Sequence, residues 1–146
     1  MPKLNTVAVA AIAAALSSAV TMGAVKIVGA AEAQAPNPNA TRQLMTQALS
    51  DLPGREVRML ELNRPPQDAG APHSHPGHHT FGYVVDGEYE FGVNNGPTKI
   101  LHAGDTFYEP PGAIHSASRN ASKDKPMKIV VFLVADQSKP TTVPVK

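Results

Sequence analysis

The sequence contains no cysteine and no tryptophan among its 146 residues. The absence of cysteine excludes a disulfide-stabilised scaffold, a zinc finger and a thiol nucleophile. The 13 basic and 12 acidic residues leave a net charge of +1, so the chain lacks the positive field that nucleic-acid binding requires. With only three tyrosines and four phenylalanines, the core must consist mainly of Val, Ile and Leu. The length is that of one ordinary domain.

The N-terminal segment has the three-part pattern of a secretory signal peptide. A short basic start precedes an apolar, alanine-rich stretch from Val7 to Val25, and small-x-small cleavage sites end at Ala33 and Ala35. We predict a signal peptide over residues 1–33, because cleavage after Ala35 would leave Pro36 at the new N-terminus. An uncleaved anchor is the alternative, since this stretch approaches the length of a bilayer span. We expect an exported protein, periplasmic or secreted, with no membrane partner after cleavage.

Residues 34–54 combine a linker with a predicted short helix. The linker, Pro36 to Asn39, is polar and rich in proline. From Thr41 to Leu52 the apolar residues recur at helical spacing, and Pro53-Gly54 is a typical helix stop. The sequence therefore predicts one short N-terminal helix before the main domain.

Residues 55–136 have the pattern of an all-β domain. Short runs of strand-forming residues alternate with turn sequences such as Asp86-Gly87 and Pro110-Pro111-Gly112. Strands at this spacing are typical of a β-sandwich or β-barrel. The predicted strands are Val57–Leu62, Thr80–Val85, Tyr89–Val93, Thr98–Leu101, Asp105–Tyr108, Ile114–Arg119 and Met127–Val134. Residues 137–146 include two prolines and are predicted to form a loosely held C-terminal tail.

All six histidines lie between His73 and His115. His73 and His75 are two residues apart, so on a strand both side chains point to the same side. Neutral imidazole is the commonest protein ligand for metals, and His115, which follows the Pro-Pro-Gly turn, could supply a third one. A solvated loop for the first pair and a core histidine for His115 are the alternatives.

Together the two histidine segments resemble the two motifs of the cupin superfamily. The matching residues are His73, His75 and Gly87 in the first motif and Gly104, Pro110, Gly112 and His115 in the second. Two positions depart from the motifs. Gln67 stands where the first motif begins with glycine, and the asparagine that ends the second motif is displaced by one position, to Asn120. The resemblance covers Val57 to Val134 and implies a small antiparallel jelly-roll β-barrel, in agreement with the strand pattern.

The main departure from the family is its glutamate ligand, because Thr80 stands at that position. A neutral hydroxyl binds a divalent ion far less strongly than a carboxylate. We favour a three-histidine site formed by His73, His75 and His115, with the remaining positions open. Two other interpretations stay open. In one, His79 is a fourth ligand, which requires a bulge or a loop because adjacent residues of a strand face opposite sides. In the other, metal binding is weak or lost.

Glu109 is a candidate replacement carboxylate. It could orient a ligand imidazole or act as a general base, and a surface role at a strand end is an equal alternative. The resemblance implies one divalent transition metal, which could be Fe, Zn, Mn, Ni or Cu. Some three-histidine cupins are iron-dependent dioxygenases, so the implied function is a small-molecule oxygenase. The alternative is a non-enzymatic periplasmic module that binds a small ligand or metal. The resemblance is also compatible with a homodimer.

Overall fold

A computed structural model describes residues 41–145, which form ten β-strands and no helix. The strands are β1 Thr41–Ala48, β2 Arg55–Arg64, β3 His73–Ser74, β4 His79–Asp86, β5 Glu88–Val93, β6 Lys99–His102, β7 Thr106–Glu109, β8 Ile114–Asn120, β9 Met127–Asp136 and β10 Val143–Pro144. Within these residues there is accordingly no helix long and apolar enough to cross a membrane.

The ten strands form two five-stranded antiparallel sheets. The strand order is β1-β2-β9-β4-β7 in the first sheet and β10-β3-β8-β5-β6 in the second. Side chains from both sheets meet in one core, where Val84 and Leu133 of the first sheet pack in the same cluster as Tyr89 and Phe91 of the second. This arrangement confirms the predicted all-β jelly-roll barrel.

Strand β9 shows how the sequence builds the wall of the barrel. It lies between β2 and β4 and pairs with β2 along all ten residues. Successive side chains of a strand point to opposite faces, so Ile129, Val131 and Leu133 are buried inside while Phe132 is exposed outside. The continuous apolar run in the sequence therefore supplies both the core and part of an outer apolar surface.

The turn that carries the chain from the first sheet to the second requires glycine at position 87. Gly87 has φ = 85°, a left-handed conformation that side chains other than glycine adopt at a cost. A Cβ atom at this position would also lie 2.7 Å from the Cβ of Met127. This turn passes the chain directly from β4 into β5, which runs beside the histidine-bearing strand β8.

The helix predicted over Thr41 to Leu52 is wrong, because Thr41–Ala48 forms the edge strand β1. This strand pairs with β2, and all eight of its side chains are exposed. The apolar residues that recur at helical spacing are therefore not buried. Backbone pairing with β2 decides the conformation of this segment instead. The linker predicted at residues 36–39 and the signal peptide predicted at 1–33 lie outside the described residues.

All seven predicted strands are present, with boundaries within two residues of the prediction. The structure adds three strands, β1, β3 and β10, that the pattern did not reveal. Strand β10 lies in the C-terminal segment, which was predicted to be loosely held. Instead Val143 and Pro144 pair with Ser74 and His73 of β3.

Candidate metal centre

Three of the predicted ligands converge at one end of the barrel. His73 and His115 are direct partners in the β3–β8 pairing, and His75 follows β3 immediately. One ring nitrogen from each lies within 4.8 Å of the others. The ring centroids of His73 lie 5.0 Å from His75 and 4.9 Å from His115. The cross-strand register, which the sequence alone could not supply, brings the histidines of the two segments together.

Backbone carbonyl groups orient two of the three imidazoles. The Nδ1–H of His73 donates a hydrogen bond to the carbonyl oxygen of Ala71 at 2.9 Å. The Nδ1–H of His75 donates to the carbonyl oxygen of Thr141 at 2.5 Å. Because a carbonyl only accepts, each ring in its neutral form carries its proton on Nδ1 and holds a free lone pair on Nε2. A carbonyl on the second nitrogen is the usual arrangement around a metal-binding histidine.

His115 is held by a different partner. Its Nε2 lies 3.0 Å from the hydroxyl of Tyr89, which is also 2.9 Å from the hydroxyl of Ser118. When Nε2–H donates to Tyr89 and Tyr89 donates to Ser118, the Nδ1 lone pair of His115 is free. That Nδ1 is buried and has no hydrogen-bond partner.

Glu109 is a buried residue of the site rather than a surface residue. Only 2% of it is exposed, and its Oε1 lies 3.3 Å from Nδ1 of His115. Its Oε2 lies 3.9 Å from Nε2 of His75. The register places Glu109 directly opposite Thr80 on the inner face of the β4–β7 pair. The carboxylate that the family pattern puts at position 80 thus has a counterpart on the neighbouring strand.

Three buried polar atoms at this site lack a hydrogen-bond partner: Oγ1 of Thr80, Oε2 of Glu109 and Nδ1 of His115. Unpaired polar atoms are rare in protein interiors because each one costs free energy. Their concentration beside the lone pairs of His73 and His75 fits a bound cation or polar ligand. The donor set, three imidazoles and a nearby carboxylate, suits a transition metal.

Burial favours the uncharged form of the titratable groups in this site. It lowers the pKa of His75, and it lowers the pKa of His115 to about 3, with the charges of His73 and His75 adding to the effect. Burial raises the pKa of Glu109 to about 7. The imidazoles of His75 and His115 are therefore neutral at neutral pH, the state in which histidine binds metal.

His79, the predicted alternative fourth ligand, lies outside this cluster. It is exposed on the outer face of β4, where its Nδ1 lies 2.8 Å from the hydroxyl of Tyr108. The next residue, Thr80, is buried and faces the site, because adjacent residues of a strand point in opposite directions. No bulge at this point of β4 brings His79 inward.

His78 was given no role from the sequence, but the structure shows that it is fully buried. The backbone N–H of Asp136 donates to its Nδ1, and its Nε2–H donates to the carbonyl oxygen of Pro140. Both ring nitrogens are therefore occupied, and His78 joins the end of β9 to the C-terminal segment.

A cavity of about 310 Å³ adjoins the three histidines. Its wall is largely apolar, and its polar lining includes Thr80, Glu109, the three imidazoles, Arg64 and Ser118. The apolar lining includes Leu60, Leu62, Phe107, Ile129 and Val131. A cavity of this size and composition can hold a small organic molecule with its polar end against the histidines.

The fold and the site define a small β-barrel with a candidate metal centre at one end. The family model for the cupin domain matches residues 61–133, which is half of the chain. The chain therefore belongs to the cupin family. A comparison with curated proteins gave no significant match.

Solved structures support the same fold. An uncharacterized protein with a double-stranded β-helix domain from Klebsiella pneumoniae is 20% identical, with a TM-score of 0.59 over 73% of this chain and 84% of that one. The DMSP lyase DddQ from Ruegeria pomeroyi is 25% identical, with a TM-score of 0.54 over 61% of this chain and 43% of that one. An oxalate oxidase is 25% identical, with a TM-score of 0.56 over 74% and 56%. The match thus spans about half the length of these two enzymes.

Proposed function

We propose that this protein is an exported cupin that binds one divalent transition metal ion and acts as a small-molecule oxygenase of the dioxygenase type. The observation that carries the proposal is the convergence of His73, His75 and His115 in the wall of a largely apolar cavity of about 310 Å³. Backbone carbonyls already hold two of these imidazoles in the form that binds metal. A site so prepared needs little rearrangement to accept an ion.

Each group in the site has a proposed role. The three histidines hold the metal, and a metal bound by neutral imidazoles supplies a Lewis acid with open coordination positions. Glu109 accepts or returns a proton, since its Oε2 faces the histidines and has no hydrogen-bond partner. Thr80 offers a hydroxyl beside it for hydrogen bonding to a bound molecule.

The size of the cavity and the two enzyme relatives support a small substrate. A volume of about 310 Å³ accommodates a small organic molecule. One relative is an oxidase and the other a lyase, both named for reactions of small molecules. They support chemistry within a barrel of this kind, and oxygenase chemistry is the class to test first.

The decisive experiment is elemental analysis of protein expressed from the full sequence without a polyhistidine tag. We expect nearly one metal ion per chain, and its loss in the double variant His73→Ala/His115→Ala. The double variant His79→Ala/His102→Ala is the matched control, because both of these histidines are exposed and lie outside the cluster. Iron in the wild type would lead directly to oxygen-consumption assays with candidate small molecules.

Two results would contradict the metal site. One is the absence of metal from the wild type even after reconstitution with Fe, Zn, Mn, Ni or Cu. The other is equal loss of metal from the cluster variant and from the control, since that would place the ion elsewhere on the protein.

The largely apolar lining of the cavity favours a second candidate, a non-enzymatic module that holds a small ligand or the metal alone. Glu109→Gln separates the two functions because it keeps the shape of the side chain and removes the acid–base group. An enzyme should lose turnover with this variant while retaining its metal. A binding module should keep its ligand affinity with Glu109→Gln and lose it with His115→Ala.

Export is also part of the proposal, and it rests on the signal-peptide pattern of residues 1–33. N-terminal sequencing of protein recovered from its host tests it directly. We expect a mature chain that begins at Gln34. An intact N-terminus on membrane-bound protein would favour the anchor instead.

A further inference from the structure

We infer that the C-terminal strap, defined here as residues 139–145, positions the metal-binding histidines and selects which nitrogen of His75 faces the site. This inference rests on the proposed metal function. Three independent contacts carry it: a hydrogen bond to His75, strand pairing with His73, and anchoring of the strap by the half-buried Arg58 and the buried His78.

The first contact fixes the ring of His75. The carbonyl oxygen of Thr141 accepts the Nδ1–H of this ring at 2.5 Å, although the two residues are 66 positions apart in the chain. The bond leaves the Nε2 lone pair directed toward Glu109, 3.9 Å away. Without the strap, no other group in the described residues bonds to Nδ1 of His75, and the proton would be free to occupy either nitrogen.

The second contact holds the backbone of His73. Strand β3 is only two residues long, and it lies between β8 and β10 in its sheet. On one side His73 pairs with His115, and on the other it pairs with Pro144 of the strap. The backbone N–H of Val145 extends this pairing by donating to the carbonyl oxygen of Pro72 at 3.1 Å. Removing the strap would leave this short strand paired on one side only.

The third set of contacts anchors the strap itself. The guanidinium of Arg58 on β2 donates to Oγ1 of Thr141 at 2.7 Å and to the carbonyl oxygen of Lys139 at 3.4 Å. Arg58 is in turn held by Glu56 at 2.5 Å. The Nε2–H of His78 donates to the carbonyl oxygen of Pro140 at 2.8 Å. Arg58 and His78 therefore hold the strap at Thr141 and at the two residues before it. The carbonyl of Thr141 is the one that accepts the hydrogen bond from His75.

These contacts make Arg58 and His78 positioning residues, because they act on the metal-binding histidines through the strap. The strap also contributes Thr142 and Pro144 to the wall of the cavity. Its position thus influences both the ligand set and the space that a small molecule would occupy.

The first test removes the strap by ending the full chain after Ser138. Cobalt(II) and zinc(II) affinities are measured by chelator competition in wild type and truncated protein. We expect a loss of about 10- to 100-fold, the usual effect of removing partners that orient metal ligands. In the metal-free proteins, long-range ¹H–¹⁵N NMR should show His75 protonated on Nδ1 in the wild type and mixed between the two nitrogens after truncation.

The second test keeps the chain intact and weakens one anchor. Arg58→Met removes the donors to Thr141 and Lys139, and Arg42→Met is the matched control because Arg42 is exposed on β1. We expect Arg58→Met to lower metal affinity by about tenfold, at the lower end of the same range, and to shift the His75 tautomer. Arg42→Met should leave both quantities at their wild-type values. Circular dichroism verifies that both variants fold, so this pair decides the question if the truncated chain does not.

The outcomes separate the two proposals. Failure of wild-type protein to bind any metal would refute the proposed metal function, yet the NMR comparison would still report whether the strap sets the tautomer of His75. Wild-type metal affinity together with an unchanged Nδ1–H tautomer in folded Arg58→Met and truncated proteins would refute the strap's role. A shift of both quantities in those variants, and not in Arg42→Met, would establish it.

Discussion

The interior of the barrel and the outer face of its first sheet are built from alternate residues of the same strands, yet they differ in chemistry. Inside, aliphatic residues and the rings of Tyr89, Phe91 and Phe107 surround a polar cluster that includes Thr80 and Glu109. Outside, four aromatic side chains are exposed: Phe81, Tyr83, Tyr108 and Phe132. Adjacent residues such as Val84, fully buried, and Val85, 42% exposed, therefore experience entirely different surroundings.

This comparison shows that the face of the strand to which a side chain points, more than closeness in sequence, decides which residues belong to the site. His79 and Thr80 are neighbours, but only Thr80 faces the three-histidine cluster. Tyr108 and Glu109 repeat the pattern on β7, where Glu109 is the inward member. Three pairs of residues test this rule, and each pair joins an interior residue with a more exposed residue of the same type.

The largest effect is expected at Glu109, where burial raises the carboxyl pKa from 4.5 to about 7. The folded protein therefore retains a proton that the unfolded chain releases, so wild-type stability is lost as the pH rises through this window. In metal-free protein, the stability of Glu109→Gln relative to wild type should increase by about 3 kcal/mol between pH 4 and pH 8. Urea unfolding at a series of pH values measures this difference.

Glu61→Gln provides a control for that experiment. Hydrogen bonding from Asn63 is the largest influence on the pKa of this surface carboxyl, and it lowers the pKa. Glu61→Gln should therefore not gain stability relative to wild type between pH 4 and pH 8. A stability difference between Glu109→Gln and wild type that is the same at every pH would mean that Glu109 is not desolvated in the folded protein.

The second effect compares Val84→Ala with Val85→Ala, the same substitution on opposite faces of one strand. Val84→Ala should lower the free energy of unfolding by about 2 to 3 kcal/mol, because it removes two buried methyl groups. Val85→Ala should lower it by less than about 0.5 kcal/mol, as is usual for exposed positions. Denaturant unfolding of both variants gives the two values, and equal losses would contradict the assignment of faces.

The smallest effect compares two tyrosine hydroxyls through Tyr89→Phe and Tyr108→Phe. Tyr89 is buried and its hydroxyl bonds to His115 and Ser118, so its loss should cost about 1 to 2 kcal/mol by leaving buried partners unpaired. The Tyr108 hydroxyl meets His79 at the surface, where water replaces it at almost no cost. Thermal unfolding of the metal-free variants compares them, and a larger loss for Tyr108→Phe would reverse the expected order.

Much of the barrel could be predicted because its strands alternate clearly and end at strong turn signals. The spacing of His73, His75 and His115 also indicated the cluster that the structure assembles. The depth of Glu109 could not be read from the sequence, since it depends on the register that pairs β7 with β4. A residue at the end of a strand can equally face water.

The errors at the two ends have a common physical cause. Strand β1 was predicted as a helix because its apolar spacing is helical, yet its conformation comes from backbone pairing with β2. The C-terminal strap was predicted to be loose because of its prolines, yet it contacts His75 and His78 through carbonyl oxygens. Every residue type carries a carbonyl, so such contacts leave no signature in the order of side chains.

The position of β9 also has a consequence for how the chain acquires its structure. This strand joins β2 to β4, and its pairing with β2 runs from Arg55 opposite Asp136 to Arg64 opposite Met127. During synthesis the β1–β2 pair and the β4–β7 pair of the first sheet therefore remain unconnected until β9 has been made. Such distant pairing slows folding because a long loop must close first. Late closure of the sheet favours an extended chain during synthesis, which would suit the export that we propose through a channel that accepts unfolded polypeptide.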